Sequence, residues 1–187
     1  MANTAAPFGL TPIRHMYGGE VRLEAFTIAS EYATAIYRGD PVKTTGTGRN
    51  IAIGTAGGVI TGIFAGCRYT DAQGEYQFRD YWPAGQTLRA GTTCEALVWS
   101  DPNILFRGQA SGSIVEADIG LLADLASGTG DPATGLSGWT VGAHDGSEAQ
   151  LKIVGLSNAP LDNVYGNYAT VDVLILEHEY RGAGTEV

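Results

Sequence analysis

The hydrophobic positions of this chain fall into short runs that are separated by polar turns. From residue 21 onward the runs are rich in β-branched and aromatic residues, and they cover residues 21–28, 35–37, 42–45, 51–55, 59–69, 76–78, 87–89, 94–99, 104–109, 151–156 and 169–180. Runs spaced by roughly 8 to 12 residues are typical of the strands of a sandwich or barrel. Asp-Pro dipeptides at 40–41, 101–102 and 131–132 lie between runs and favour tight turns. The pattern predicts an all-β fold, a single β-sandwich or β-barrel-like domain.

The last run gives the clearest strand signal. Its residues alternate between two faces, and both faces are apolar in the middle, as Val173 and Leu174 show. A strand that is apolar on both faces is expected in the interior of a sheet. Ser113 to Leu125 has a partial helical spacing, but Gly120 weakens it. We therefore expect at most one short helix, of a turn or two.

In two segments the apolar positions follow neither the period of a strand nor that of a helix. Residues 1–19 mix proline, glycine and scattered apolar side chains, which predicts an extended N-terminal arm. A stretch of Gly, Ser, Thr, Asp and Pro begins at residue 126, and it predicts a flexible surface loop over about 126–150. The expected organisation is an arm over residues 1–19 and a β-rich domain over residues 20–187.

Charge and composition narrow the classes of partner. Twenty Asp and Glu against eleven Lys and Arg give a formal charge of −9, which repels phosphate backbones and argues against nucleic acid as a direct partner. No apolar stretch is long enough for a membrane span, and residues 1–10 lack the features of a signal peptide. Cys67 and Cys94 are expected to be buried, inert thiols in a reducing cytoplasm.

The sequence offers no clear catalytic or metal-binding group. His15 lies in the arm, His144 in a turn, and His178 at the end of the last strand. Glu177 and Glu179 flank His178, but neighbouring side chains of a strand point to opposite faces, so the three do not converge on a metal. We expect no enzyme activity, no cofactor and no metal. A β-barrel hydrolase or metal enzyme built around His144 or His178 remains as a rival hypothesis.

Aromatic residues and arginines cluster between residues 67 and 83. Such a cluster fits a stacking platform for single-stranded nucleic acid or sugar, but aromatic residues with arginine are also the composition of protein interface hot spots. The negative charge argues against nucleic acid, and we favour a protein interface over plain core packing as the role of this cluster. The residues of this cluster that we expect at a subunit or partner interface are Arg79, Tyr81 and Trp82.

Several short blocks of turn and strand residues are distinctive: residues 6–15 (APFGLTPIRH), 39–42 (GDPV), 59–66 (VITGIFAG), 100–106 (SDPNILF), 151–156 (LKIVGL), 162–163 (DN) and 171–178. These blocks resemble head proteins of tailed bacteriophages that decorate or cement the capsid. The resemblance implies a structural virion protein that binds the outer surface of the major capsid protein lattice and stabilises the head. It also implies a homo-oligomer, a trimer or dimer, assembled in the bacterial host cytoplasm and located on the capsid exterior.

An extended arm suits such a clamp. Its apolar side chains can fill grooves on a neighbour, while an arginine makes forked contacts to a carboxylate. The candidate arm residues are Phe8, Leu10, Ile13, Arg14 and Tyr17. A second reading is a β-rich carbohydrate or host-receptor binding virion module that uses Trp82, Trp99 or Trp139 as a stacking floor.

Overall fold

The structure, a computed structural model, describes residues 3–145, 149–159 and 161–181. The first eight strands are β1 (Thr11–His15), β2 (Glu24–Ile28), β3 (Ile36–Tyr37), β4 (Pro41–Thr44), β5 (Ile51–Ile53), β6 (Gly62–Thr70), β7 (Tyr76–Arg79) and β8 (Tyr81–Trp82). The other eight are β9 (Cys94–Trp99), β10 (Ile104–Gln109), β11 (Ser113–Ile114), β12 (Leu122–Ala126), β13 (Thr140–Asp145), β14 (Leu151–Leu156), β15 (Gly166–Asn167) and β16 (Thr170–Ile175). Two single 3-10 turns, Glu116–Asp118 and Glu179–Arg181, are the helical elements of the described residues.

Two six-stranded antiparallel sheets form the body of the fold. The first sheet has the strand order β1-β10-β16-β14-β12-β13. Strand β16 lies between β10 and β14, as its two apolar faces predict, with Val173 paired to Phe106 on one side and to Ile153 on the other. The second sheet has the order β2-β9-β6-β4-β5. Strand β7 extends it by pairing with the C-terminal half of β6, residues 67–70.

The described residues build two hydrophobic clusters. One cluster combines side chains of both sheets, with Phe106 and Val173 from the first and Ile63 from the second. The other lies on the second sheet around Phe26 and Phe64, beneath the short β3–β8 pair. The fold is therefore an all-β, sandwich-like domain, and this sequence prediction is confirmed.

The N-terminal segment is not a free arm, so the predicted boundary at residue 19 is wrong. Residues 11–15 form the edge strand β1, which pairs with β10 in the first sheet. Leu10, just before this strand, is buried in the cluster that joins the two sheets. The apolar positions of this segment alternate too irregularly to reveal a strand, because a bulge shifts the register between Pro12 and Arg14.

A strand also interrupts the loop predicted over residues 126–150, of which residues 146–148 lie outside the described residues. Strand β13 occupies residues 140–145 within it, and Trp139 is buried. The Gly- and Asp-rich part is held by backbone hydrogen bonds, in which the Arg38 amide donates to the Gly135 carbonyl and the Ser137 amide donates to the Arg38 carbonyl, both at 3.0 Å. The helix candidate over residues 113–125 contains one 3-10 turn between two strands.

The last strand ends at Ile175, before the predicted end at residue 180. The chain beyond it crosses to the second sheet, where the Glu179 amide donates to the Ile60 carbonyl at 3.0 Å. The Glu179 carboxylate accepts hydrogen bonds from the hydroxyls of Thr61, at 2.6 Å, and Thr44, at 3.0 Å. This carboxylate ties the segment after β16 to strand β4 and to Thr61, the residue just before β6. None of the helical turns in the described part of the chain is long and apolar enough to cross a membrane.

Candidate functional site

The β6–β7 hairpin carries the most exposed aromatic side chains of the second sheet. Its turn is fixed by Asp71, whose Oδ1 accepts the Glu75 and Gln73 amides at 2.9 and 3.1 Å. Asp71 Oδ2 accepts the Gln77 side-chain amide at 3.1 Å. These hydrogen bonds, with that of Glu75 the strongest, lower the pKa of Asp71. The turn is thus held by one ionised side chain.

The outer face of this hairpin combines aromatic and charged groups. Tyr76 and Phe78 are 68% and 65% exposed. Strand pairing places Phe78 opposite Arg68 and Tyr76 opposite Thr70, so all four side chains share one face. Strand β7 pairs with β6 alone among the described strands, and its other edge carries no strand. An exposed edge next to exposed aromatic side chains is a surface suited to another protein chain.

Arg68 is already oriented by an ion pair on this face. Its Nε lies 2.8 Å from Glu95 Oε2 on the neighbouring strand β9. The hydrogen bond to Glu95 raises the pKa of Arg68, and the same bond lowers the pKa of Glu95. Both side chains are exposed, so the pair adds little to stability and mainly orders the guanidinium.

The three residues predicted from the aromatic cluster lie elsewhere. Trp82 is fully buried under the second sheet, and its Nε1 donates to the Tyr32 carbonyl at 3.4 Å. Tyr81 stacks on Tyr37 with ring centroids 5.4 Å apart, and the Arg79 guanidinium lies 5.9 Å from the Tyr81 ring. Trp82 as an interface residue is wrong, because it fills the core of its own chain. Within the same cluster, the exposed aromatic side chains are those of Tyr76 and Phe78.

The predicted arm residues are divided between the core and the surface. Leu10 is buried, which corrects its assignment to an interface, and Phe8 and Ile13 are half-buried. Arg14 is exposed, and Tyr17 is 83% exposed at the turn after β1. The segment before Phe8 lies on its own domain, where Gln109 Oε1 accepts the Ala6 amide at 2.8 Å. Only part of the predicted arm surface is therefore open to a partner.

The histidines do not form a common site. His15 and His144 each pair with one carboxylate, Asp101 at 3.2 Å and Asp118 at 3.4 Å. His178 is fully buried, and burial lowers its pKa to about 4, with a further contribution from Arg181. His178 was predicted at a strand end between two glutamates, yet it lies inside the fold, past the end of β16. Among the described residues, no group of three His, Cys, Asp or Glu side chains is placed to hold a metal.

Cys67 and Cys94 are free and buried, as predicted. The Cys67 thiol donates to the Tyr81 carbonyl, with Sγ and O 3.6 Å apart. The neighbouring Cys94 side chain and burial raise the pKa of Cys67, so it stays protonated. A protonated, buried thiol is a poor nucleophile.

A cavity of about 340 Å³ lies beside the turn between β3 and β4. Trp139, Tyr37 and Asp40 are among its lining residues. All three tryptophans considered as a stacking floor are buried: Trp82, Trp99 and Trp139 are 0%, 8% and 6% exposed. They offer no open ring to a sugar on the surface of this chain.

Comparison with known proteins gives no relative. No protein-family model, no curated protein and no solved structure matches this chain.

The hydrophobic pattern locates the hairpin but not its open face. Tyr76 and Phe78 alternate with Gln77 and Arg79. This alternation indicates that the aromatic side chains lie on one face of the strand and the polar side chains on the other. In a strand with one buried face and one exposed face, the aromatic face is usually the buried one. Because β7 is an edge strand outside both hydrophobic clusters, its aromatic face is the exposed one.

Proposed function

We propose that this protein is a capsid decoration protein of a tailed bacteriophage, which binds the outer surface of the major capsid protein lattice and stabilises the head. The observation that carries the proposal is the exposed face formed by Tyr76 and Phe78 on the edge strand β7 and by Arg68 on the neighbouring strand β6. The sequence resemblance to decoration proteins supports the same function. The role is structural and non-catalytic, and the protein lies on the capsid exterior.

The chemistry of this face suits a protein partner. Aromatic side chains and arginine supply much of the binding energy of protein interfaces. The aromatic side chains bury large areas at a low cost in side-chain entropy. The Asp71 turn and the Arg68–Glu95 pair hold the face in one arrangement before it binds. A preorganised face loses less entropy on binding.

A homo-oligomer, a trimer or dimer, is part of the proposal. A decoration protein bound at a symmetry axis of the shell gains from several weak contacts made at once. Tyr17 and Arg14, exposed at the far end of β1, are the predicted arm residues available for such subunit contacts.

Co-sedimentation with capsids that lack the protein tests this function. The wild type is expected to pellet with capsids, and the double variant Tyr76→Ala/Phe78→Ala is expected to bind about 30-fold more weakly or worse, at a typical hot-spot cost of 2 kcal/mol or more. Leu161→Ala is the control, because Leu161 is fully exposed and lies on another loop. If the double variant binds capsids as tightly as the wild type, the contact lies on another face. If the wild-type protein does not bind capsids, the proposed function is refuted.

A further inference from the structure

The open edge of strand β7 directs backbone hydrogen-bonding groups outward. The Asp71 amide donates to the Glu75 carbonyl at 3.0 Å, which sets the phase of the β6–β7 ladder. In an antiparallel pair, only alternate residues of a strand exchange hydrogen bonds with the neighbouring strand. Tyr76 and Phe78 are out of phase with Glu75, so their N–H and C=O groups point away from β6. They face the edge on which the described part of the chain places no strand.

The sequence along this edge is complementary to itself. The five residues from Glu75 to Arg79 (EYQFR) are acidic, aromatic, amide, aromatic and basic in turn. When two copies of such a segment run antiparallel about a two-fold axis at Gln77, Glu75 of each copy lies opposite Arg79 of the other. Tyr76 lies opposite Phe78 in the same way. Directly opposite residues have Cβ atoms about 5 Å apart, so that opposite charges and aromatic rings interact.

The hydrogen-bonding groups and the charges favour the same register. With the axis at Gln77, the outward N–H and C=O groups of Tyr76 meet those of Phe78 in the other copy, and each gains a partner. With the axis at Phe78, Arg79 would lie opposite Gln77 and the charge pair would be lost. A two-fold axis at Gln77 therefore satisfies both the backbone and the charges.

Both charged residues are available for such a contact. Glu75 is exposed, and the half-buried Arg79 has its guanidinium 5.9 Å from the Tyr81 ring. Neither Glu75 nor Arg79 takes part in a salt bridge within the described residues. A second copy supplies the opposite charge to each of them.

We propose that two copies of this protein pair antiparallel through the edge strand β7, about a two-fold axis at Gln77, with Glu75 of each copy on Arg79 of the other. The second sheets of the two copies then form one continuous sheet. Tyr76 and Phe78 of both copies lie on one face of it, so the open aromatic surface is doubled. The use of this doubled surface on a capsid rests on the proposed function, whereas the dimer itself is tested without capsids.

Charge reversal with rescue tests the pairing. Glu75→Arg and Arg79→Glu each place like charges opposite each other at both ends of the contact. Each is expected to weaken self-association by about ten-fold or more. The double variant Glu75→Arg/Arg79→Glu restores the attraction and should dimerise as the wild type does. Glu20→Arg is the control, because it makes the same charge change at an exposed position on another segment.

Sedimentation velocity of the full-length protein measures this association over a range of protein concentrations at low ionic strength. Circular dichroism verifies that each variant is folded. A wild-type protein that stays monomeric at every concentration would overturn the proposal. So would single variants that associate as tightly as the wild type, or a folded double variant that does not recover.

A cross-link at the axis keeps the test informative if a charge variant does not fold. In Gln77→Cys the two thiols face each other at a pair whose Cα atoms are about 4.5 Å apart, which suits a disulfide. With oxidised glutathione as the oxidant, we expect a covalent dimer to form at least about ten-fold faster than with Gln73→Cys, on the exposed turn. Cys67 and Cys94 are buried and add no background. Equal rates for the two variants would contradict the proposal.

Co-sedimentation with capsids separates the dimer from the proposed function. A protein that dimerises through β7 but does not bind capsids supports the pairing and refutes the function. A monomeric wild type that binds capsids, and loses this binding in the Glu75→Arg variant, would assign the edge to the capsid protein and overturn the dimer.

Discussion

Gly9 and Gly39 contact each other backbone to backbone. The Leu10 amide donates to the Gly39 carbonyl at 3.0 Å, and both glycines have positive φ, 70° and 95°. A Cβ on Gly9 would overlap the Gly39 carbonyl oxygen, and a Cβ on Gly39 would lie 2.6 Å from the Phe8 carbonyl oxygen. This contact joins the N-terminal segment to the turn that carries Asp40.

Substitution of either glycine should therefore destabilise the fold. Gly9→Ala and Gly39→Ala combine backbone strain with a steric overlap that only a backbone shift can relieve, so we expect each to lower the free energy of unfolding by about 2–4 kcal/mol. Urea unfolding followed by tryptophan fluorescence measures the change. Gly18→Ala is the control, because Gly18 has positive φ but open space around it, and about 1 kcal/mol is expected. Equal effects at all three positions would show that the contact adds nothing.

Asp40 should make the protein less stable as the pH rises from about 4 to 6. Burial raises its pKa from 3.8 to about 6, so over this range the folded chain holds a proton that the unfolded chain has lost. The free energy of unfolding therefore falls by about 3 kcal/mol, and this loss is complete above pH 6. Asp40→Asn removes this dependence, and its stability relative to the wild type should rise by that amount between pH 4 and pH 7. A constant difference across the range would contradict the burial of an ionisable Asp40.

His178 should have the opposite effect over nearly the same range. Burial lowers its pKa from 6.5 to about 4, so the unfolded chain binds the proton more tightly. Its contribution of about 3 kcal/mol is present above pH 6.5 and is lost as the pH falls towards 4. In the wild type the two slopes offset each other. His178→Asn, which keeps an acceptor for the Tyr180 amide, should reveal the falling slope of Asp40 when urea unfolding is repeated at several pH values.

Glu179 should stabilise the domain through its hydrogen bonds to Thr44 of β4 and to Thr61, just before β6. Its carboxylate accepts the Thr44 amide at 3.1 Å and the Thr61 hydroxyl at 2.6 Å. Glu179→Ala leaves these donors without a partner, and we expect a loss of about 2 kcal/mol in the free energy of unfolding. Thermal and urea unfolding measure it. Glu20→Ala, at an exposed position, is the control and should change stability by less than about 0.5 kcal/mol.

The sequence is enough to predict the fold class and most strands, because short β-branched runs and turn dipeptides are local signals. Strand β16 also reveals its central position, since both of its faces are apolar. Strand β1 could not be found in this way. Its pairing with β10 joins residues about 90 positions apart, and its bulge breaks the alternation.

The open and buried aromatic residues could not be told apart from sequence. Trp82 and Phe78 lie four positions apart in one cluster, yet one fills the core and the other faces outward. The difference depends on strand order, because β7 lies at an edge while the β3–β8 pair covers a core cluster. The Asp40 cavity is likewise assembled from four distant segments, so no local motif marks it.

Electron microscopy of intact particles tests the proposed function most directly. Maps of capsids with and without this protein should show added density on the outer surface of the capsid lattice, in a copy number set by the symmetry of the shell, with the β6–β7 hairpin against the major capsid protein. Density inside the shell, at the tail or absent altogether would contradict the proposal.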